Sequence, residues 1–367
     1  MSTNHPGPLD ADEVEVVHSV LEKFFPTSSS SLRSIGLMGG GRFNRNYRID
    51  MGARKYVLRR YDLNTSVRTI KYEHDLLDHL PSMIHTAAIA KPHLSASNDT
   101  IVSNSGRHYA LFPFLPGSGF GGGSPHLLRE AGRTLAAYHN AAQTYVPEPR
   151  QRHEYGTVAR LDWAVEYSGG LSKLWQNVIA LPLETRHEKL AHESVEFLRD
   201  EDRSAQEMLS DKVYSEIPCM VIHGDFGAQN ILVSGSRVSG VLDFDLTAWD
   251  ARAYDLAAAI VWFSEDDKES PSYTVSDSER RWSLNAERGA RFCEGYLREL
   301  ERPLCKSVVD LLSWFMRRFL FWTAIWHLDL LAAGRNWYPH EFSGLISCLR
   351  WFQIAADSFV ASVMRYP

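Results

Sequence analysis

Two aspartates and an asparagine in the middle of the chain have the types and spacing of a phosphoryl-transfer site. Asp225 follows His223 and Gly224, Asn230 comes shortly after it, and Asp243 lies further along. Transfer of a γ-phosphoryl group requires a carboxylate near the acceptor hydroxyl and oxygen ligands that hold Mg²⁺ on the nucleotide phosphates. Asp225 suits the first role, and Asn230 and Asp243 suit the second.

A predicted β-hairpin explains how separated residues would reach one metal ion. The apolar runs 231–233 and 238–242 flank the turn-forming residues 234–236. Such a hairpin would bring Asn230 and Asp243 to the same end. The alternative is that these polar residues only form turns or cap helices, as a single aspartate usually does.

The combined motif, His-Gly-Asp with Asn230 and then Asp-Phe-Asp at residues 243–245, resembles the aminoglycoside phosphotransferase and choline kinase superfamily. These proteins are relatives of the protein kinases and carry Gly where the protein kinases carry Arg. The resemblance implies an α+β, bilobal protein-kinase-like fold, with a small N-terminal antiparallel-sheet lobe and a larger, mainly helical C-terminal lobe. It also implies ATP and Mg²⁺ as cofactors, and Asp225 as the residue that orients or deprotonates the acceptor hydroxyl.

A glycine-rich segment at residues 118–125 marks the change from sheet-rich to helix-rich sequence. We therefore predict an N-terminal nucleotide-binding lobe with its hinge at residues 1–117. The C-terminal lobe, residues 118–367, would contain the catalytic loop, the metal site and the acceptor pocket. Before the hinge, a leading helix and three short antiparallel strands are predicted, at residues 11–25, 35–41, 46–49 and 55–61.

The turn between the first two strands contains three consecutive glycines. Glycine lacks the Cβ that would keep the backbone N–H groups away from nucleotide phosphates. The alternative is a flexible hairpin, and only the position ahead of a catalytic loop favours nucleotide binding. The turn resembles the nucleotide-positioning loop of the family, which assigns Gly39, Gly40, Gly41 and Asn44 to the nucleotide.

In kinase-like folds, a cation on the third strand holds the α- and β-phosphates, and a glutamate on a helix orients that cation. Arg59 occupies the position where relatives carry Lys or Arg, and Glu73 opens the predicted helical segment 73–80. A guanidinium stays charged and can bind two phosphate oxygens at once. The alternative cations are Arg60 and Lys71.

Residues 110–117 form an apolar strand that ends in turn residues, and they resemble the hinge at which backbone groups meet adenine. Pro113 and Pro116 have no N–H to donate. Phe114 and Leu115 are therefore the predicted backbone contacts of the base.

Three further residues have roles that the resemblance implies. Asp245 is grouped with the metal residues, although it could instead contact substrate or orient the loop. Asp255, near the start of a helix, is expected to brace the backbone of the catalytic loop, a role compatible with helix capping. His139 is expected to be structural.

The acceptor is predicted from a late aromatic helix at residues 314–330, because a comparable helix lines the acceptor pocket in relatives of homoserine-kinase type. An arginine there would bind both oxygens of a substrate carboxylate, which favours an amino-acid-like alcohol. The predicted acceptor is therefore an amino alcohol or a homoserine-like compound. For the aromatic residues, core packing is the alternative. The candidate contacts are Arg317, Arg318, Trp322, Trp326 and His327.

Two other functions are kept open. Acidic stretches at residues 193–216 and 264–279 would suit an aminoglycoside or other antibiotic kinase, although such stretches are more often solvated surface. A nucleotide-binding pseudokinase that acts through a partner is the alternative outside enzymes.

Composition limits the remaining classes. The 367 residues are 44% hydrophobic and 23% charged, with a formal net charge of −6, which argues against a non-specific nucleic-acid binder. No apolar run is long enough to cross a membrane, and the N-terminus lacks signal-peptide features, so a cytoplasmic protein is expected. The four cysteines have no C-x-x-C spacing and indicate neither disulfides nor zinc. The sequence leaves the oligomeric state open.

Overall fold

The computed structural model describes residues 9–26, 31–39, 44–80, 84, 86–147, 162–165, 167–265, 284–335 and 337–365. The chain divides into two compact units, each of which collects several segments. The first unit contains Met1–Ser118, Leu232–Ser234 and Ser239–Asp245, and the second contains Gly119–Ile231, Gly235–Val238 and Leu246–Pro367. Asp243 and Asp245, which the sequence assigned to the C-terminal lobe, therefore group with the first unit.

The described elements alternate strands and helices early and are mostly helical later. The strands are β1 (Ser34–Leu37), β2 (Arg45–Asp50), β3 (Lys55–Arg60), β4 (Ala88–Ile89), β5 (Val102–Asn104), β6 (Arg107–Pro113), β7 (Ser118–Gly119), β8 (Cys219–Ile222), β9 (Ile231–Ser234), β10 (Arg237–Val241) and β11 (Ala248–Ala251). The helices are α1 (Ala11–Phe24), α2 (Val67–His79), α3 (Pro125–Ala142), α4 (Leu171–Ile179), α5 (Arg186–Glu193), α6 (Val195–Met208), α7 (Asp211–Ser215), α8 (Arg252–Ser264), α9 (Ala286–Glu299), α10 (Lys306–Ala332) and α11 (Pro339–Val363). Short 3-10 turns occur at Asp162–Val165 and Ala228–Asn230.

The first unit is built on a five-stranded sheet of order β1-β2-β3-β6-β5, in which all neighbouring strands are antiparallel. Helix α1 packs its apolar side on one face of this sheet, and the core between them includes Val17, Leu21, Tyr47 and Leu58. Asp10 caps α1 by accepting the Glu13 N–H at 2.7 Å. The predicted leading helix and three strands are confirmed.

Helix α2 begins at Val67, earlier than the predicted segment 73–80, because Ser66 caps it by accepting the backbone N–H of Thr69 at 3.1 Å. The prediction that Glu73 opens the helix is therefore wrong. Glu73 lies in the middle of the helix, on the side that is buried with Ile70 and Leu77.

The predicted hairpin is confirmed by the adjacent strands β9 and β10. They belong to a four-stranded sheet of order β4-β10-β9-β7, in which Gly240 and Val241 pair in parallel with Ala88 and Ile89. Strand β10 ends at Val241, and Asp243 lies two residues later, so the end of this strand fixes the position of the aspartate.

The second unit consists of helices around the short antiparallel pair β8 and β11, in which Ile222 lies opposite Ala248. Almost every residue of α8 is buried, and α8 follows β11 directly. Glycines let α3 and α9 approach closely: a Cβ on Gly132 would collide with the backbone of Phe292. Among the residues that the structure describes, no helix combines the length and apolar character needed to span a bilayer.

Candidate functional site

Asp225 lies in the loop after β8, and two amide side chains of the same loop contact its carboxylate. Asn230 donates its Nδ2–H to Asp225 Oδ2 at 2.8 Å and also approaches the Asp225 backbone oxygen at 2.8 Å. Gln229 donates from Nε2 to Asp225 Oδ1 at 3.3 Å. Asp225 is half-buried, whereas Asn230 is buried. Each carboxylate oxygen is therefore oriented by an amide, and a carboxylate held in this way can accept the proton of an alcohol.

The backbone of this loop is held by Asp255 of α8. Its carboxylate accepts the N–H of His223 and the N–H of Gly224, both at 2.8 Å, and lies 3.1 Å from His139 Nε2. The other ring nitrogen of His139 is 2.8 Å from the hydroxyl of Tyr296. The predicted bracing role of Asp255 and the structural role of His139 are confirmed.

The charges of this buried pair follow from its contacts. Burial alone would raise the pKa of Asp255, but the hydrogen bonds that its carboxylate accepts from His139 and from the backbone N–H of His223 prevail and lower it. Burial lowers the pKa of His139 more than Asp255 raises it. A neutral His139 therefore donates its Nε2–H to an ionised Asp255, which remains available to the two backbone N–H groups.

Gly224 is required by the path of the same loop. Its φ is +83°, in the left-handed region, and a Cβ at this position would collide with the backbone oxygen of Leu246. Any side chain here would displace the residue that precedes Asp225. The glycine of the His-Gly-Asp motif thus has a steric reason.

In the first unit, Arg59 of β3 lies among three carboxylates. Its Nη1 is 3.3 Å from Glu73 Oε1, its Nη2 is 3.3 Å from Asp243 Oδ1, and it also pairs with Asp245. Burial alone would lower the pKa of Arg59, but the carboxylates of Asp245, Asp243 and Glu73 raise it well above its ordinary value. The predicted pairing of Arg59 with Glu73 is thus present, whereas the alternative Arg60 faces Glu13 at 3.6 Å.

Asp245 connects Arg59 to the end of the glycine-rich turn. Asn44 donates its side-chain N–H to Asp245, and its Oδ1 accepts the backbone N–H of Asp62 at 3.0 Å. Burial raises the pKa of Asp245 well above its ordinary value, and the charge of Asp243 adds to this although Arg59 opposes it. In the described structure Asp245 orients these neighbours, so its assignment to the metal stays a prediction.

The predicted Mg²⁺ ligands offer hard oxygen atoms of the kind that this ion prefers. The side chain of Asp243 is 46% exposed, and its backbone has a φ of +64°, which is uncommon for a residue other than glycine. The amide nitrogen of Asn230 is used by Asp225, which leaves its oxygen for a metal. The described residues contain no cluster of three or more His, Cys, Asp or Glu side chains suited to a metal. Magnesium on a nucleotide keeps phosphate and water oxygens as ligands, so the amide oxygen of Asn230 and the carboxylate of Asp243 are each chemically suitable donors without such a cluster. That they share one ion stays a prediction.

Other predicted nucleotide contacts are only partly described. Gly39 ends the described part of the first turn, and the predicted contacts Gly40 and Gly41 lie outside the described residues. The N–H of Phe114 donates to the backbone oxygen of Lys55 at 3.0 Å. Phe114 can therefore offer adenine only its carbonyl oxygen. Of the two predicted base contacts, Phe114 and Leu115, Leu115 remains as the N–H donor.

The candidate acceptor residues of α10 contact α6 or the core. Arg317 binds Glu201 through two nitrogens, at 2.7 and 3.0 Å, and Arg318 pairs with Asp202 at 2.5 Å. The remaining candidates, Trp322, Trp326 and His327, are buried. Residues 201 and 202 of the first acidic stretch thus form ion pairs inside the unit, and most of the second stretch lies outside the described residues.

Gln229 and Tyr61 contact predicted site residues, and His74 contacts Tyr61. None of the three was identified from the sequence. Gln229 immediately precedes Asn230, and Tyr61 lies two residues after Arg59 on the same side of an extended strand. Their closeness in sequence to Asn230 and Arg59 was the signal that could have identified Gln229 and Tyr61. Tyr61 donates to Glu73 at 3.0 Å, which adds a second partner to the glutamate that orients Arg59.

Two curated relatives illustrate what the chain is similar to, and both are homoserine kinases. The chain is 26% identical to a homoserine kinase of Rhizobium meliloti (strain 1021), over 65% of this chain and 66% of the relative. It is also 26% identical to a homoserine kinase of Rhizobium johnstonii, over 73% of this chain and 72% of the relative. The chain therefore spans slightly less than two thirds of the first relative and somewhat more of the second.

Comparison with solved structures supports the fold. A microcompartment-associated aminopropanol kinase superposes with a TM-score of 0.64 at 17% identity, over 96% of this chain and 98% of that one. A spectinomycin phosphotransferase in complex with ADP and spectinomycin superposes with a TM-score of 0.58 at 12% identity, over 97% and 99%. These likenesses confirm the predicted kinase-like α+β fold.

The sequence profile of the phosphotransferase enzyme family matches residues 35–301, which is more than half of the chain. This range includes every predicted catalytic, nucleotide and metal residue. The predicted enzyme class, a small-molecule kinase, is confirmed at the level of this family. The chain therefore belongs to the phosphotransferase enzyme family.

Proposed function

We propose that this protein transfers the γ-phosphate of ATP to the hydroxyl group of a small amino alcohol, with homoserine or a close analogue as the acceptor. The observation that carries the proposal is the orientation of Asp225. Amide groups fix both of its carboxylate oxygens, and Asp255 fixes the backbone of its loop. The names of the curated relatives support homoserine as the acceptor.

In this proposal each polar residue has one task. Asp225 accepts the hydrogen of the acceptor hydroxyl and aligns its oxygen with the γ-phosphorus. Arg59 holds phosphate oxygens of ATP while Glu73 fixes the direction of its guanidinium. Asn230 and Asp243 would hold Mg²⁺, which, when bound, neutralises negative charge on the phosphates.

The aminoglycoside alternative has less support from the described residues. A polycationic acceptor would need unpaired carboxylates, but Glu201 and Asp202 are committed to Arg317 and Arg318. The pseudokinase alternative would require a defect in the phosphoryl-transfer residues, and Asp225, Asn230 and Asp243 are all present.

The test is Mg²⁺-dependent release of ADP from ATP over a panel of homoserine, other amino alcohols, choline-like compounds, sugars and aminoglycosides. Asp225→Asn removes the charge with little change of shape. Asp310→Asn makes the same change at an exposed aspartate that pairs with Lys306, and it serves as the matched control.

We expect homoserine or another amino alcohol to stimulate ADP release in the wild type and in Asp310→Asn. Loss of the general base should reduce this rate roughly 100-fold or more in Asp225→Asn. Stimulation by aminoglycosides alone would contradict the proposed acceptor. Equal rates in Asp225→Asn and the wild type would contradict the role of Asp225.

A further inference from the structure

We propose that Tyr61, His74 and Thr100 form a directed hydrogen-bond chain that positions Glu73, and through it Arg59, for the phosphates of the nucleotide. The inference rests on the proposed function, because it assigns positioning residues to the same reaction. All five residues belong to the first unit, and the chain begins at a threonine remote in sequence from the phosphoryl-transfer motif.

The contacts form one continuous path. Thr100 Oγ1 lies 2.7 Å from His74 Nδ1, and His74 Nε2 lies 3.0 Å from the hydroxyl of Tyr61. That hydroxyl lies 3.0 Å from Glu73 Oε2, and the other oxygen, Glu73 Oε1, is 3.3 Å from Arg59 Nη1. Each oxygen of the glutamate thus has its own partner, so the carboxylate cannot rotate without losing one of them.

Chemistry gives this path a single direction. Glu73 accepts when it is ionised, so the one hydrogen of the Tyr61 hydroxyl must be donated to it. The oxygen of Tyr61 can then only accept from His74, which places the imidazole hydrogen on Nε2. Burial lowers the pKa of His74 to about 4, so the ring is neutral and its Nδ1 is an acceptor. Thr100 is the donor that satisfies Nδ1.

The surroundings keep these groups in place. Tyr61, Glu73 and His74 are all nearly inaccessible to solvent, so water cannot easily replace a lost partner. The ring of His74 packs edge-on against the ring of Phe112, with 5.8 Å between their centres. The guanidinium carbon of Arg59 lies 5.6 Å from the centre of the Phe112 ring. Burial also raises the pKa of Glu73, while Arg59 and the Tyr61 hydroxyl oppose that rise. Without the hydroxyl, Glu73 would hold Arg59 less firmly.

The first test measures, by titration calorimetry on the full chain, the affinity for a non-hydrolysable ATP analogue in the presence of Mg²⁺. Tyr61→Phe removes only the hydroxyl. The matched control is Tyr47→Phe, because Tyr47 also donates its hydroxyl to a glutamate, Glu13, but does so in the core between the sheet and α1. We expect roughly tenfold weaker binding for Tyr61→Phe, the usual effect of losing a hydrogen bond to a charged group, and unchanged binding for Tyr47→Phe.

A second pair of variants separates positioning from general damage to the fold. Thr100→Ser keeps the hydroxyl that donates to His74, whereas Thr100→Val removes it and keeps the shape. Without that donor, the imidazole can adopt the other tautomer, with its hydrogen on Nδ1. Its Nε2 then accepts the hydrogen of the Tyr61 hydroxyl, which is no longer donated to Glu73. We expect Thr100→Val to weaken nucleotide binding about fivefold and Thr100→Ser to retain wild-type affinity. The KM for ATP should follow these affinities, while the KM for the acceptor should not change.

The outcomes distinguish the two proposals. If the wild type fails to bind the nucleotide, the proposed function fails, and this inference fails with it. If the wild type binds but Tyr61→Phe and Thr100→Val bind equally well, only the hydrogen-bond chain is refuted. Equal weakening in Tyr47→Phe and Tyr61→Phe, or in both Thr100 variants, would also overturn the chain, because loss of fold stability would then explain the result.

Discussion

The carboxylate of Asp255 accepts the backbone N–H of Gly224 at 2.8 Å while its other oxygen accepts the N–H of His223 at the same distance. One buried anion thus determines the course of the backbone immediately before Asp225. The neutral His139 donates its Nε2–H to the oxygen that also accepts the N–H of His223. Small changes at Asp255 should therefore affect the loop that carries the phosphoryl-transfer chemistry.

For Asp255→Asn we expect a loss of about 3 kcal/mol in the free energy of unfolding, because an amide NH₂ would face a backbone N–H in a fully buried site. Activity should fall together with stability. Urea unfolding and the rate of ADP release measure both effects. Asp310→Asn, at an exposed position paired with Lys306, should change stability by less than about 0.5 kcal/mol, and an equal loss in the two variants would contradict the account.

Gly224→Ala should damage the same loop by steric means. The added Cβ would collide with the Leu246 backbone oxygen, and φ is +83°, so the loop must move. We expect activity to fall more than tenfold, an estimate that assumes displacement of Asp225 by about 1 Å. Gly235→Ala is the control, because its φ of +60° also lies in the left-handed region but an added Cβ would meet no neighbouring atom. That variant should keep its activity, and a comparable loss there would refute the steric argument.

Arg59→Ala should raise the KM for ATP at least tenfold, since it removes the cation that lies among Glu73, Asp243 and Asp245. Arg59→Lys should recover part of this loss, because an ammonium keeps the charge but not the forked geometry. Steady-state kinetics with varied ATP measure these effects. Arg60→Ala tests the alternative cation, and a larger rise in KM for Arg60→Ala than for Arg59→Ala would reverse the assignment.

His74 should make stability depend on pH. Its pKa is about 4 in the folded protein and about 6.5 in the unfolded chain, so the unfolded state binds more protons between these values. The contribution of His74 to the free energy of unfolding is fully present above about pH 6.5. It decreases by about 3 kcal/mol in total as the pH falls towards 4.

The measurement is urea unfolding of the wild type and of His74→Gln between pH 7 and pH 4. Because glutamine does not titrate, the variant should lose about 3 kcal/mol less than the wild type over this range. Parallel pH profiles for the two proteins would show that His74 titrates normally in the folded state.

Much of the fold could be predicted because local patterns agreed with the final structure. The strand predicted at residues 55–61 corresponds to β3, and the turn formers at 234–236 predict the hairpin of β9 and β10. The start of α2 was missed because the apolar spacing is clearest after Glu73, whereas the cap at Ser66 lies on a polar stretch. A cap is a single side-chain hydrogen bond and leaves a weaker signal than periodic burial.

Among the site residues, those in the motif could be predicted from the sequence, whereas contacts between distant segments could not. Asp225, Asn230 and Asp255 stand at motif spacing, but the pairing of Arg317 with Glu201 joins helices far apart in sequence and has no local signal. The loss of the Phe114 N–H to the Lys55 oxygen likewise depends on strand pairing, which the sequence does not specify by itself. Contacts between distant segments were therefore the main omission.

The most direct test of the central claim is detection of the phosphorylated product by ³¹P NMR after incubation of ATP, Mg²⁺ and homoserine with the purified protein. We expect a phosphate monoester resonance that grows with the wild type and with Asp310→Asn and grows roughly 100-fold more slowly, or less, with Asp225→Asn. ADP formation without any monoester across the amino alcohols, or a monoester formed equally by Asp225→Asn, would contradict the account.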